Sequence, residues 1–186
     1  MRLRTLAGVL GVPTLAMAGF ACEAADPESC RGTIGATTVE KVNVPSGATC
    51  VLNGTRVQGN VFVRHGATLT ATGVRVIGNV QAENASGVNV VDGSRVGGSV
   101  QVKQGGAARV TDTTVIGDIQ YDANRQALRA NRNDVGGSIQ IMQNTGGVAV
   151  NSNNVDGNLQ CKENAPAPTG SGNVVGGNKE DQCARL

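Results

Sequence analysis

The chain is predicted to be all-β: a single parallel β-helix (β-solenoid), expected to be right-handed, of about seven rungs of 19–20 residues with disulfide-stapled ends. Three observations predict it. First, one motif recurs at a fixed period. It reads "VQGNV" (57–61), "VIGNV" (76–80), "VGGSV" (96–100), "VIGDI" (115–119), "VGGSI" (135–139), "VDGNL" (155–159) and "VGGNK" (175–179), and its first Val steps by 19 or 20 residues. Second, each period holds two stretches of apolar residues spaced two apart, the mark of one strand face. Third, four cysteines, Cys30, Cys50, Cys161 and Cys183, fall only in the first and last turns.

Taken in order, the chain opens with a leader. "MRLR" is a short basic start, and "LAGVLGVPTLAMAGFA" is apolar and ends in small residues. Residues 1–24 therefore read as a secretory signal peptide, cut between 18 and 24. Cys22 offers a lipid-anchor alternative, although "GFAC" departs from a lipobox. Residues 25–37 read as an N-terminal cap, 38–174 as the solenoid and 175–186 as a C-terminal cap. The solenoid starts near Thr38, because "VNVPSGATCVLNGTR" (42–56) aligns with "VFVRHGATLTATGVR" (61–75).

Within a rung, the first alternating stretch supplies an inward column of Val61, Val80, Val100, Ile119, Ile139 and Leu159. Gly, Asn, Asp and Ser cluster between the stretches, where turns need them. One rung cannot bury its own apolar face, but stacked rungs share one core. A narrow core filled by small aliphatics explains why Phe62 and Tyr121 are the only aromatics after the leader. The repeated glycine serves either a corner of positive φ or a close backbone approach. The only stretch resembling a helix, "DANRQALRANR" (122–132), falls inside one rung.

The cysteines belong to the caps. Pairing within neighbouring rungs gives Cys30–Cys50 and Cys161–Cys183, each closing a loop of about twenty residues. Each would stabilise by roughly 3 kcal/mol on chain-entropy grounds and would require an oxidising compartment. The spacing lacks the C-x-x-C pairs of a metal site.

Function is less legible. Removing the two Arg and one Glu of the leader lowers the net charge from +2 to about +1. That lacks the basic footprint of a nucleic-acid binder. Gln81, Gln101, Gln120, Gln140 and Gln160 form one outward row, a possible surface ladder behind Phe62. Asn133, Asn153 and Asn173 form a second column, preceded by Ser94 and Thr113, and read as a structural turn ladder. Thr68, Thr70 and Thr72 are not repeated two turns on, where Arg109 and Thr111 stand, so no ice-binding array results. His65 reads as a loop residue. Asp118, Asp122, Asp134 and Asp156 could supply the carboxylate pair of sugar hydrolysis, but their plain reading is surface acids. No catalytic, metal or cofactor site is assigned.

The repeat resembles those of parallel β-helix proteins, including exported bacterial ones of unknown function. Over 38–178, the Val-x-Gly-polar-aliphatic pattern is similar to the rungs of bactofilins, which polymerise end to end. A leader and cysteine pairs set this chain apart from them. Pectate-lyase-like enzymes share the architecture alone, and no active-site residue carries over. The expectation is a non-catalytic structural or binding module, secreted, periplasmic or at the cell envelope. A glycan or envelope component is the possible partner, self-association is open, and no transmembrane segment or nucleic-acid partner is expected. The alternative is a polysaccharide-acting β-helix enzyme.

Overall fold

The computed structural model describes residues 29–186. The leader, its cleavage sites, Cys22 and the start of the N-terminal cap lie outside the described residues.

The predicted solenoid is the observed fold. Three parallel sheets of eight strands each run the length of the stack. A representative rung holds the strands Ile119–Asp122, Leu128–Asn131 and Asp134–Val135. We name the sheets by these members. The amide sheet runs from Val42–Val44 to Lys179–Asp181. The long sheet runs from Gly32–Ile34 to Thr169–Ser171, and the short sheet from Thr38–Val39 to Val174–Val175. No helix occurs among the described residues, and Leu128–Asn131 is a strand.

There are about eight turns rather than seven. Gly32–Ile34 pairs with the strand Thr49–Asn53, and Lys179–Asp181 pairs with Leu159–Lys162. Both end strands lie in segments read from sequence as caps. They lack the alternating aliphatics that mark an inner rung, so their signal is weak. Lys179 takes the register place of Leu159 and is exposed, which ends the apolar column with a charge.

The core is that column and its partners across the rung. Val61, Val80, Val100, Ile119, Ile139 and Leu159 are all fully buried and in register. Tyr121 is also fully buried, and its hydroxyl donates to the Arg129 carbonyl of the same rung at 2.8 Å. Desolvation holds its phenol protonated well above the ordinary tyrosine range.

The motif glycine serves close approach, not positive φ. A Cβ on Gly78 would lie 2.7 Å from the Gly59 carbonyl oxygen of the rung below and would strike Asn60. Left-handed corners sit elsewhere: one at Gly73 (φ 60°), filled in later rungs by Asp112, Arg132 and Ser152 at φ 53–54°, and a second after the amide-sheet strand at Asn84, Gln104, Ala123, Gln143 and Glu163 at φ 52–57°.

Disulfides join Cys30 to Cys50 and Cys161 to Cys183, with Cα atoms 5.5 and 5.2 Å apart. Each staples an end strand or its flank to the next rung, in agreement with the expected pairing.

Candidate functional site

Alternation along the amide sheet sends every second side chain outward. Three outward columns result. The residue after the motif glycine forms the first: Asn60, Asn79, Ser99, Asp118, Ser138, Asn158 and Asn178. From Asn60 to Asn158 each side-chain oxygen accepts the backbone N–H of the next rung, as in Asn60 Oδ1 from Asn79 N (2.8 Å) and Asp118 Oδ1 from Ser138 N (2.7 Å), and Asn178 ends the column. The motif therefore demands a short polar acceptor at this place.

The second column holds Phe62 and then Gln81, Gln101, Gln120, Gln140 and Gln160, all half-buried. Gln81 Nε2 donates to Gln101 Oε1, and Gln101 Nε2 to Gln120 Oε1, both at 3.1 Å. Gln120 turns to Asp118 Oδ2 on its own rung (3.4 Å), where the run of amide bonds stops. It resumes at the end, where Gln160 donates to Glu180 (2.9 Å). The amides of Gln81, Gln101, Gln120 and Gln160 are thus held in place before any ligand arrives.

The third column carries charge. Glu83, Lys103 and Asp122 are in register on three adjacent rungs. An open groove of about 590 Å³ lies over the first rungs and is lined by Ser46, Phe62, Arg64, His65, Gln81, Glu83, Gln101 and Lys103, among others. Arg64 lies 5.3 Å over the Phe62 ring and donates to Asn43 Oδ1 at 3.0 Å. A smaller hollow of about 120 Å³ continues past Lys103 to Asp122, Gln140 and Met142.

His65 is exposed at the groove rim. Asp118 and Asp122 lie at the amide sheet, whereas Asp134 and Asp156 are exposed along the short sheet, so the four do not converge. No group of three or more His, Cys, Asp or Glu among the described residues could hold a metal ion.

The Asn133 column points inward. Asn133, Asn153 and Asn173 are buried. Asn133 Oδ1 accepts the Thr113 N–H at 3.1 Å, while its Nδ2 reaches Asn153 Oδ1 at 3.0 Å and the Val110 carbonyl at 2.9 Å. A second inward column, Asn124, Asn144 and Asn164, escaped the sequence reading, although its members are twenty apart. Asn124 lies in the helix-like stretch and so looked like loop. Gln182, beside Cys183, caps this column by accepting from Asn164 N (2.9 Å) and Nδ2 (3.0 Å). Every buried side-chain nitrogen and oxygen among the described residues has a partner.

On the corner column of positive φ, Arg132 grips Asp112 of the preceding rung with two bonds, at 2.7 and 2.6 Å. These bonds hold Asp112 below the ordinary carboxylate range.

Among the described residues no helix is long and apolar enough to cross a membrane. The two disulfides are consistent with a non-cytoplasmic compartment. No family model matches the chain, and neither a curated protein nor a solved structure shows significant similarity to it. No match therefore supports the likeness to bactofilins or to exported β-helix proteins, and what stands is a parallel β-solenoid.

Proposed function

We propose that the protein is an exported, non-catalytic binding module, working outside the cell or at its envelope, that holds a glycan along the groove of the amide sheet. The row Phe62, Gln81 and Gln101 carries this reading. Its amides are pre-bonded along the stack at the groove. Ordered amides hydrogen-bond sugar hydroxyls with little further ordering cost. They repeat at about 4.8 Å, the strand spacing, a scale suited to a repeating ligand. A glycan array probed with the oxidised protein tests it. Binding to a linear glycan should weaken about tenfold or more in Q81A/Q101A, as when a buried or half-buried hydrogen-bonding pair is lost. Equal binding by the variant, or no glycan bound, overturns the reading.

A second reading keeps one specific observation. Glu83, Lys103 and Asp122 place a base between two carboxylates on adjacent rungs, an arrangement a polysaccharide-cleaving enzyme could use. Depolymerisation of an array ligand by wild type, abolished by E83Q or D122N, would establish it in place of the module.

A further inference from the structure

The short sheet carries a row absent from both readings above. Arg56, Arg75 and Arg95 each stand immediately before a motif Val, and all are exposed. Their backbones are in direct register, Arg56 with Arg75 and Arg75 with Arg95. Three guanidinium groups thus project from consecutive rungs about 4.8 Å apart. None of them makes an ion pair with an acid among the described residues, where the Arg132–Asp112 pair lies on the neighbouring corner. Thr38 precedes the row and Thr114 follows it, and Asp134 closes the column one rung later. Like charges directly opposite on adjacent strands repel. The row therefore holds an electrostatic cost that a bound polyanion relieves.

The neighbouring outward place selects the chemistry further. Two residues beyond Arg75 is Ile77, 44% exposed, flanked in its column by Gln58 and Gly97. An apolar side chain beside a row of forks suits a sugar ring that carries its charge on one edge. A guanidinium fork matches a carboxylate bidentately. Single-stranded nucleic acid fits less well, because it needs aromatic platforms for its bases. Tyr121 is buried, and Phe62 lies on the amide sheet.

We infer that Arg56, Arg75 and Arg95 form a binding row for a linear acidic polysaccharide with one carboxylate on each sugar, lying along the stack axis. The site is separate from the amide-sheet groove and does not rest on it.

The test uses the oxidised protein, alginate as the probe and its carboxyl-esterified form as the control, read by calorimetry or surface binding at several salt concentrations. Wild type should bind alginate, bind the ester far more weakly, and lose affinity as salt rises. R75A should lose about three- to fivefold and the triple alanine variant about thirtyfold or more, the scale of exposed charge pairs summed over three. R75K should recover only part of the loss, because the ammonium lacks the fork. R109A/R129A removes two exposed, registered arginines from the long sheet. It should retain wild-type affinity, which separates the row from net charge. Q81A/Q101A should also bind alginate normally, so failure of the groove reading leaves this one standing. All three arginines are exposed, so circular dichroism and melting of the triple variant should match wild type. Equal alginate binding by wild type and triple variant overturns the proposal. So does equal binding of the ester, a loss in R109A/R129A as large as in the triple variant, binding only to anionic vesicles, or an alginate-independent dimer that the triple variant abolishes.

Discussion

Asn144 shows how much one side chain can hold. Its Oδ1 accepts the backbone N–H of Asn124 (2.9 Å) and the side-chain amide of Asn124 (3.0 Å). Its Nδ2 donates to the Tyr121 carbonyl (3.0 Å) and to Asn164 Oδ1 (2.9 Å). Asn144→Ala orphans the buried Asn124 N–H and takes one partner each from Asn124 Nδ2, the Tyr121 carbonyl and Asn164 Oδ1 on two rungs. An orphaned group alone costs about 1–3 kcal/mol, so with the other lost bonds the variant should lose about 3 kcal/mol or more. Thermal melting should register this as a drop of roughly 6–12 °C, at the 2–4 °C per kcal/mol typical of this size. A loss below 1 kcal/mol would mean that water replaces the ladder. The inward role of such residues was only half legible. A polar residue at a twenty-residue period looks alike in sequence whether it faces solvent or core. What separates the two is the corner: Asn133 and Asn144 turn inward because carbonyls at 110 and 121 lie there to receive them. The three arginines were hidden differently. They stand in plain repeat before each early motif Val, but a net charge near neutrality averages them with acids on other faces.

At the scale of the element, the strand pattern was readable because burial follows alternation. Ile139 and Ile141 are fully buried, and Gln140 between them is half-buried. A strand and the turn that leads into it are both intolerant, for opposite reasons. Ile139→Ala empties space in the stack and should cost about 2–4 kcal/mol. Gly137→Ala adds a methyl group where the Gly117 carbonyl oxygen would lie 2.8 Å away. It should cost about 1–3 kcal/mol through crowding. Urea denaturation of both variants checks this. If Gly137→Ala were neutral, the glycine would be there for its conformation and not for contact. The sequence left these alternatives open because a glycine in a turn-rich repeat suits both. The long sheet was less legible than the amide sheet, since Arg109 and Arg129 interrupt its outward face and Gly170 thins its last strand.

For the whole molecule, a stack of similar rungs is weakest at its ends. The staples Cys30–Cys50 and Cys161–Cys183 hold those ends, and Gln182 closes the inner asparagine column beside the second. Reduction should therefore loosen the first and last rungs and leave the middle formed. Hydrogen exchange should show lost protection near Gly32–Ile34 and Lys179–Asp181, with Ile119–Asp122 unchanged. Uniform loss of protection would mean that the solenoid unfolds as one unit. The corners have a separate consequence. Between Val91 and Ser94 the chain fits two residues, Asp92 and Gly93, where the next rung fits Asp112 alone between Thr111 and Thr113. Yet Val91 and Thr111 remain paired, as do Arg95 and Thr114. The molecule thus keeps a reading frame. A residue gained or lost at a corner is absorbed within its own turn, and all downstream columns stay in phase. The same change inside a strand would shift every following side chain to the opposite face. Length can therefore drift in this lineage only at the corners, or by whole turns of about 4.8 Å.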